Sequence, residues 1–477
     1  MSQAFVGCGG STQNEACSNV VEQSCVCAPG VPGVVEICDG VERTACMCDR
    51  STDAGMLDGS NGGHVVVDAA ADGGVDDRPG RACLGDGQGA CAIAGVAAGR
   101  GHTCVWRAAG EIDCFGDNTF KQLGWLSELD GARDGTGEDR SFDDVRAVEG
   151  IVGDVVEVAT GGDYACARTQ QGEVWCWGLL APIAEAGSAS GSTNSSNAGT
   201  APSLPSHVVG LTDVTSLVVG RGHACAATAS RGTSCWGDNS AGQLGLGTEL
   251  AGKLYLPQPK RIRIVEADIE ALALGRGFSC AIVNARVLCW GQGDRGQLGD
   301  GRAHPNPSQA AVSVAFPRDV KVRALVAGEA HACALVESGA VWCWGDNTHG
   351  QLGLDSAIEM RAEPALVLDA RTQKALSLTR SLTAGADHAC GIDRAGSVHC
   401  WGSAEALCGE DPGKPVAARA FYWYGLSARQ VVAGDHHTCA LRPDGRVHCL
   451  GANDTGQSMP TALGEVCEHD EPVDVVP

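Results

Sequence analysis

The sequence predicts an all-β propeller built from seven similar segments, and three observations support this prediction. A segment with two short hydrophobic runs around a turn occurs seven times, and the first cysteines of the copies are at positions 104, 166, 225, 280, 333, 390 and 439. This spacing of 49 to 62 residues is typical of propeller blades rather than of solenoid repeats. The chain also contains 67 glycines without a collagen period, which indicates many tight turns between short strands.

Each copy has the pattern of a β-hairpin. In the fifth copy, two alternating runs flank Glu337-Ser338-Gly339, a three-residue loop whose glycine suits a left-handed backbone. Five of the seven copies keep a glycine six positions after the first cysteine. The fourth copy is one residue shorter, which predicts a two-residue turn at Asn284-Ala285. The third copy displaces the glycine to Gly232 and leaves its turn type open.

Two cysteines occupy opposite positions in the two strands of every predicted hairpin. Cysteines in register across an antiparallel pair are close enough to form a disulfide. We therefore predict seven disulfides within the blades: Cys104–Cys114, Cys166–Cys176, Cys225–Cys235, Cys280–Cys289, Cys333–Cys343, Cys390–Cys400 and Cys439–Cys449. Elimination suggests two further pairs, Cys83–Cys91 and Cys408–Cys467. A total of 25 regularly spaced cysteines favours an oxidising compartment.

Three segments precede the propeller. Residues 1–16 contain Phe5–Gly10, which resembles the end of a bacterial lipoprotein signal and makes Cys8 a candidate lipid attachment site. The alternative is that Cys8 is one more disulfide cysteine, although its removal from the odd total leaves an even set. Residues 17–49 duplicate a cysteine spacing and predict a small disulfide-stapled module. Residues 50–80, rich in Asp, Gly and Ala, predict a flexible acidic linker before the propeller at 81–477.

A second motif follows the hairpin in several copies. Trp236–Asn239 leads to Gly242–Gly245 (Gly-Gln-Leu-Gly), and the fifth copy repeats this motif at 344–347 and 350–353. Copies one, four and seven keep it in part, and copies two and six lack it. With its Gly-x-x-His stretch, the chain resembles the regulator of chromosome condensation family over residues 95–477. The resemblance implies a seven-bladed propeller with four-stranded blades.

The end of the chain predicts how the ring closes. Later copies are preceded by a strand such as Pro205–Val208, whereas the first copy has no clear equivalent. The segment Glu471–Val476 has a similar composition. We expect this C-terminal strand to complete the blade that begins near Val96, because closure of this kind leaves no long sheet edge unpaired.

One repeat position carries a ring in all seven copies. It is histidine in five copies and Tyr164 or Phe278 in the other two; the histidines are His102, His223, His331, His388 and His437. Residues related by the rotation of a propeller cannot all meet at one metal ion. We therefore expect partly buried structural rings that connect neighbouring strands, and we expect the Trp-Gly tryptophans to pack between blades.

The run Phe421-Tyr422-Trp423-Tyr424 contains four of the 21 aromatic residues in the chain. An exposed aromatic cluster is a candidate binding site for a partner. The alternative is that the run forms an outer strand of a blade.

Composition and motifs narrow the class of function. The formal net charge of −24 disfavours nucleic acid as a partner. No Gly-x-Ser-x-Gly, His-Glu-x-x-His or phosphate-binding motif occurs, so we predict no enzyme activity, no catalytic residues, no metal site and no cofactor. No apolar stretch is long enough to span a membrane, which leaves the possible lipid anchor as the only membrane contact.

We therefore expect a monomeric, exported protein located outside the cell, on the outer-membrane surface or in the periplasm. Its propeller loops would bind a protein or a glycan. One alternative is an inhibitor of a secreted enzyme. A less favoured one is guanine-nucleotide exchange, which the family resemblance implies, because its GTPase partner is cytosolic whereas paired cysteines are not.

Overall fold

The computed structural model describes residues 20–27, 31–38, 41–42, 47–48, 92–125, 146–179, 204–247, 254–265, 267–354, 357–403, 421–458 and 473–476. Over these ranges the regular secondary structure is entirely β. The chain divides into two compact units, residues 1–65 and 66–477. In the described ranges, no helix is long and apolar enough to cross a membrane.

The first unit contains a small antiparallel sheet. Its strands are β1 (Val20–Cys27), β2 (Val31–Cys38), β3 (Val41–Glu42) and β4 (Met47–Cys48). Strand β2 pairs with each of the other three. The disulfides predicted for residues 17–49, whose connectivity the sequence leaves open, stay a prediction.

The described part of the second unit consists of seven four-stranded antiparallel sheets. In chain order, their strands are β5 (Ile93–Ala98), β6 (His102–Arg107), β7 (Ile112–Gly116), β8 (Arg146–Ala147); β9 (Val155–Thr160), β10 (Tyr164–Thr169), β11 (Val174–Gly178), β12 (Ser206–His207); β13 (Val214–Val219), β14 (His223–Thr228), β15 (Gly232–Asp238), β16 (Tyr255–Arg261); β17 (Ala271–Leu274), β18 (Phe278–Val283), β19 (Arg286–Gly293), β20 (His304–Ser313); β21 (Val322–Ala327), β22 (His331–Val336), β23 (Val341–Asp346), β24 (Met360–Leu366); β25 (Leu382–Ala384), β26 (His388–Ile392), β27 (Ser397–Gly402), β28 (Phe421–Ser427); and β29 (Gln430–Ala433), β30 (His437–Leu441), β31 (Val447–Gly451), β32 (Val473–Val476). Within every sheet, consecutive strands of the chain are neighbours. The predicted seven-bladed propeller with four-stranded blades is confirmed.

The innermost strands of the blades form a closed ring. Each first strand contacts the first strand of the next blade, and β29 of blade seven contacts β5 of blade one. The prediction that the C-terminal strand completes the first blade is wrong. Strand β32 pairs with β31 in blade seven, while blade one uses its own fourth strand, β8. In every blade the fourth strand pairs with the third strand of the same blade. Ring closure therefore depends on contacts between blades one and seven rather than on an exchanged strand.

The predicted hairpins and disulfides are confirmed in all seven blades. Each first cysteine lies opposite its predicted partner, as in Cys333 opposite Cys343. The Cα–Cα distances of the seven disulfides are 4.0–4.2 Å. Asn284 and Ala285 both have positive φ, 50° and 60°, as the predicted two-residue turn requires. In the third blade Gly232 has φ 76° and pairs with Thr228 across a three-residue loop.

The hydrophobic core lies between adjacent blades. Its largest members are five fully buried tryptophans: Trp177, Trp236, Trp290, Trp344 and Trp401. Four of them donate a hydrogen bond from Nε1 to the backbone carbonyl of the motif glutamine in the preceding blade, at 2.9–3.0 Å: Trp177 to Gln122, Trp290 to Gln243, Trp344 to Gln297 and Trp401 to Gln351. The second blade lacks the motif, and Nε1 of Trp236 has no partner among the described residues. The predicted packing of these tryptophans between blades is confirmed.

Candidate functional site on the upper face of the propeller

Two sets of connections lie on one face of the ring, which we call the upper face. Because the strands alternate in direction, the connection from first to second strand and that from third to fourth strand lie at the same end of each blade. Hydrogen bonds join the two directly. The Asp238 amide donates to the Gly222 carbonyl at 2.8 Å in blade three, and the Asp346 amide donates to the Ala330 carbonyl at 3.0 Å in blade five.

The connections on the upper face differ greatly in length. Each first strand joins its second through three residues, as at 99–101 and 434–436. The third and fourth strands are joined by residues 117–145, 179–205, 239–254, 294–303, 347–359, 403–420 and 452–472. Loops of variable length on a rigid scaffold are the usual site of partner binding.

A ring of seven glycines narrows the central channel below this face: Gly99, Gly161, Gly220, Gly275, Gly328, Gly385 and Gly434. These glycines permit close approach of the blades. A Cβ atom on Gly385 would lie 2.1 Å from the carbonyl oxygen of Gly434, and one on Gly434 would lie 2.4 Å from that of Gly99. The channel cavity here measures ≈ 70 Å³. Pockets for small molecules usually have volumes of about 300 Å³ or more, so this channel is too narrow for such a ligand.

Charged side chains follow several of these glycines and form ion pairs at the channel mouth. We call this group the channel network: Arg100, Asp163, Arg221, Arg276, Glu329 and Asp435. Arg221 of blade three pairs with Glu329 of blade five and also places Nη2 2.9 Å from Oδ2 of Asp435 in blade seven. The Arg276 Nη1–Glu329 Oε1 distance is 2.5 Å and the Arg100 Nη1–Asp163 Oδ2 distance is 3.3 Å. Arg221 therefore connects three blades.

Burial and ion pairing have opposite effects on the acids at the channel mouth. Burial raises the pKa of Asp435, and the nearby Arg221 opposes this rise. Burial also raises the pKa of Asp163, while Arg100 lowers it. The network contains three arginines and three acids, so its formal charges balance. A partner that docks here would compete with these internal pairs.

The repeated histidines are fully buried, which corrects the expectation that they are only partly so. The inner strands and glycines of the ring pack against them, and burial lowers the pKa of His102 to about 4 and that of His437 to about 3. Three rings connect neighbouring blades through Nε2, at 2.8 Å in each case: His223 with Ser279, His388 with Thr438 and His437 with Thr103. The predicted structural role is confirmed for these three histidines.

The aromatic run at 421–424 lies in the outer strand β28, as the second interpretation predicted. Phe421 pairs with Cys400 and Tyr422 with His399 in the backbone register. Partner binding by Phe421, Tyr422, Trp423 and Tyr424 stays a prediction. Cys8 and the proposed pairs Cys83–Cys91 and Cys408–Cys467 lie outside the described residues.

Sequence reasoning missed the channel network. A signal was present, because the residue after the repeated glycine is Arg in three copies and acidic in two. Alternating charge at one repeat position indicates contacts around the axis once the ring is known. The pairing itself could not be read from the sequence.

The closed ring, the buried histidine and aromatic rings and the seven disulfides define the class as a disulfide-stapled repeat propeller. Family comparison agrees with this class. Two profiles of the regulator of chromosome condensation (RCC1) repeat match the chain. One matches residues 93–122, 155–179, 322–351, 380–405 and 428–457, and the other matches residues 235–282, 284–335 and 338–392. Together these matches span more than half of the chain. The protein belongs to the RCC1 repeat family.

Curated relatives share the repeats but are different proteins as a whole. The chain is 33% identical to the probable E3 ubiquitin-protein ligase HERC6 of Homo sapiens over 153 residues, which are 32% of this chain and 14% of the ligase. It is 29% identical to the mitochondrial RCC1 domain-containing protein RUG3 of Arabidopsis thaliana over 212 residues, 44% of this chain and 46% of RUG3. The chain thus spans less than half of each of these relatives.

Solved structures show the same fold. Yeast RCC1 (Prp20), solved with Kap60, matches with a TM-score of 0.59 and 18% identity, over 76% of this chain and 83% of that one. Human WBSCR16 matches with a TM-score of 0.58 and 19% identity, over 70% and 85% of the two chains.

Proposed function

We propose that this protein is an exported, non-enzymatic interaction scaffold that binds a protein partner through the upper face of its propeller. The observation that carries the proposal is the location of the long connections. The five longest connections within the propeller, residues 117–145, 179–205, 239–254, 403–420 and 452–472, all join strands that end on the face that also holds the channel network. A disulfide-stapled ring supplies the rigid base that loop-mediated recognition needs.

The seven disulfides support export. Each lies in the buried core of a blade, and disulfides of this kind persist in oxidising compartments. Relatives support a protein rather than a glycan as partner, since yeast RCC1 was solved with Kap60 and Prp20p of Saccharomyces cerevisiae binds Gsp1p and histones. A surface anchor through Cys8 belongs to the same proposal.

The export part is tested by a free-thiol count on the denatured, unreduced protein from an exporting host. We expect zero or one alkylated cysteine by intact mass, and the same mass spectrum reports lipid on Cys8. A dozen or more free thiols would contradict export. The nucleotide-exchange alternative would then be preferred and is tested with GTPases in a nucleotide-release assay.

The binding face is tested by photo-crosslinking from two exposed serines of blade three. Ser240 lies in the upper-face connection after β15, and Ser230 lies in the hairpin loop at the opposite end of the blade. A photoreactive residue at position 240, in protein exposed to native surface extracts, should yield a discrete protease-sensitive adduct that position 230 does not.

Two outcomes of this experiment would contradict the proposal, and a third would make it more specific. Equal adducts from both serines would contradict recognition by the upper face. An adduct removed by glycosidases but not by proteases would identify a glycan instead of a protein. If the adduct is a secreted enzyme whose activity falls on binding, the scaffold is its inhibitor, which is the second candidate function.

A further inference from the structure

Three potential metal ligands meet where blades five and six adjoin on the upper face. Asp346 ends the third strand of blade five, His349 lies in the motif after it, and Asp387 precedes β26 of blade six. One ligand atom from each lies within 4.8 Å of the other two. The Nδ1 atom of His349 is 3.8 Å from Oδ2 of Asp387.

Neighbouring side chains hold the carboxylates in position. Gln351 Nε2 donates to Asp346 Oδ2 at 2.8 Å and approaches Asp387 Oδ1 at 3.5 Å. Thr348 Oγ1 donates to the same Asp346 oxygen at 2.7 Å and lies 3.2 Å from His349 Nδ1. Equivalent bonds in blade three show that the repeat motif itself fixes this carboxylate.

The other carboxylate oxygen of Asp346, Oδ1, is evidence that a cation binds here. Asp346 is only 7% exposed and its Oδ1 atom is buried, yet this oxygen accepts no hydrogen bond from the described residues. Arg295 Nη1 lies 3.6 Å away, and this side chain is 53% exposed. A buried carboxylate oxygen without a hydrogen bond is costly, and coordination of a cation would remove that cost.

The other junctions with the motif lack this set of ligands. The equivalent residues are Asp117, Phe120 and Asp163 between blades one and two; Asp238, Ala241 and Gly277 between blades three and four; Gln292, Arg295 and Ala330 between blades four and five; and Ala452, Thr455 and Gly101 between blades seven and one. The fold of the junction therefore does not require a histidine between two carboxylates. The same comparison supplies natural replacements for each ligand.

We propose that Asp346, His349 and Asp387 bind a divalent transition-metal ion, with Zn²⁺ as the best match. Carboxylate oxygens and imidazole nitrogens are both zinc ligands, and a site with three protein ligands leaves the fourth position open to water. Zinc–ligand distances of about 2.0–2.2 Å require the three groups to approach each other slightly. The half-exposed His349 side chain can make this adjustment. The proposal replaces the expectation from sequence that the chain holds no metal.

The test uses the full chain with its disulfides intact, stripped of metal by EDTA and then titrated with ZnCl₂ by calorimetry. We expect the substitution His349→Ala, which copies Ala241 of blade three, to weaken the strongest Zn²⁺ affinity by about 100-fold or more. Asp387→Ala, which copies Ala330 of blade five, should do the same. Thermal melts establish that both variants fold.

His304→Ala is the matched control, because His304 pairs with Asp300 at 3.0 Å but has no third ligand among the described residues. It should bind Zn²⁺ like the wild type. Cobalt substitution should give d–d absorption without the thiolate charge-transfer bands that cysteine ligands would produce. Wild-type affinity in both His349→Ala and Asp387→Ala, or no Zn²⁺ binding by the wild type, overturns the proposal. Binding of Ca²⁺ or Mg²⁺ but not Zn²⁺ overturns the transition-metal assignment.

Discussion

The side-chain amide of Gln430 in the last blade forms two hydrogen bonds with the backbone of Val96 in the first. Oε1 accepts from the Val96 amide at 3.2 Å, and Nε2 donates to the Val96 carbonyl at 2.9 Å. One side chain thus supplies the pair of bonds that a neighbouring strand would otherwise make. Together with the His437–Thr103 bond at 2.8 Å, it joins the two ends of the ring.

Substitution of Gln430 by alanine should weaken ring closure. The change leaves two partly buried backbone groups of Val96 without these partners, and we expect a loss of about 1–3 kcal/mol in the free energy of unfolding. Urea unfolding followed by tryptophan fluorescence measures it. Ser216→Ala, at the equivalent and exposed position of blade three, is the control and should change stability by less than about 0.5 kcal/mol. Equal losses in the two variants would refute this role.

Substitution of Gly385 by alanine should be far more damaging than substitution of Gly222. The new Cβ at 385 would lie 2.1 Å from the Gly434 carbonyl oxygen, whereas the nearest atom to a Cβ at 222 is 3.5 Å away. Blade five already carries Ala330 at the position of Gly222. We expect Gly385→Ala to cost about 3 kcal/mol or more and Gly222→Ala to be nearly neutral, measured as midpoints of thermal unfolding. A neutral Gly385→Ala would mean that the blades are not held this closely.

The hydrogen bond of the core tryptophans can be measured by comparing two of them. Trp290→Phe removes the bond from Nε1 to the Gln243 carbonyl, whereas Nε1 of Trp236 has no such partner among the described residues. Both substitutions remove similar apolar volume from a fully buried site. We therefore expect Trp290→Phe to cost about 1 kcal/mol more than Trp236→Phe in chemical unfolding. A reversed order would show that packing, and not the bond, distinguishes the two.

The buried histidines should make the protein sensitive to mild acid. Burial lowers their pKa from 6.5 to about 4 for His102 and His331, and to about 3 for His223, His388 and His437. Between these values and pH 6.5 the unfolded chain binds more protons than the folded one, so the free energy of unfolding falls as pH decreases. Each histidine contributes up to about 1.4 kcal/mol per pH unit. The raised pKa values of Asp163, Asp387 and Asp435 act in the opposite direction, above the ordinary aspartate pKa.

His102→Phe tests this assignment, because blade four already has Phe278 at the same position and Phe278 is fully buried. The free energies of unfolding at pH 7 and pH 5 give the slope of stability against pH. Removal of one of the five histidines should reduce the histidine contribution to that slope by about one fifth. An unchanged slope would mean that other groups cause the acid sensitivity.

The sequence alone determined the parts of this protein that depend on residues close together along the chain. The hairpin register, the turn at Asn284-Ala285 and the seven disulfides join residues nine or ten positions apart, so alternation and turn chemistry were sufficient to predict them. The seven-fold repeat then predicted the propeller.

Only the tertiary structure decided how distant blades meet. The sequence predicted an exchanged C-terminal strand, whereas the ring closes through Gln430 and Val96, which are 334 positions apart. Arg221 and Glu329 are separated by 108 positions, and Asp346, His349 and Asp387 come from two blades. Such contacts depend on the rotation from blade to blade and on the radius of the ring. Neither quantity is encoded in a local pattern, and both come from the packing of glycines and tryptophans between blades.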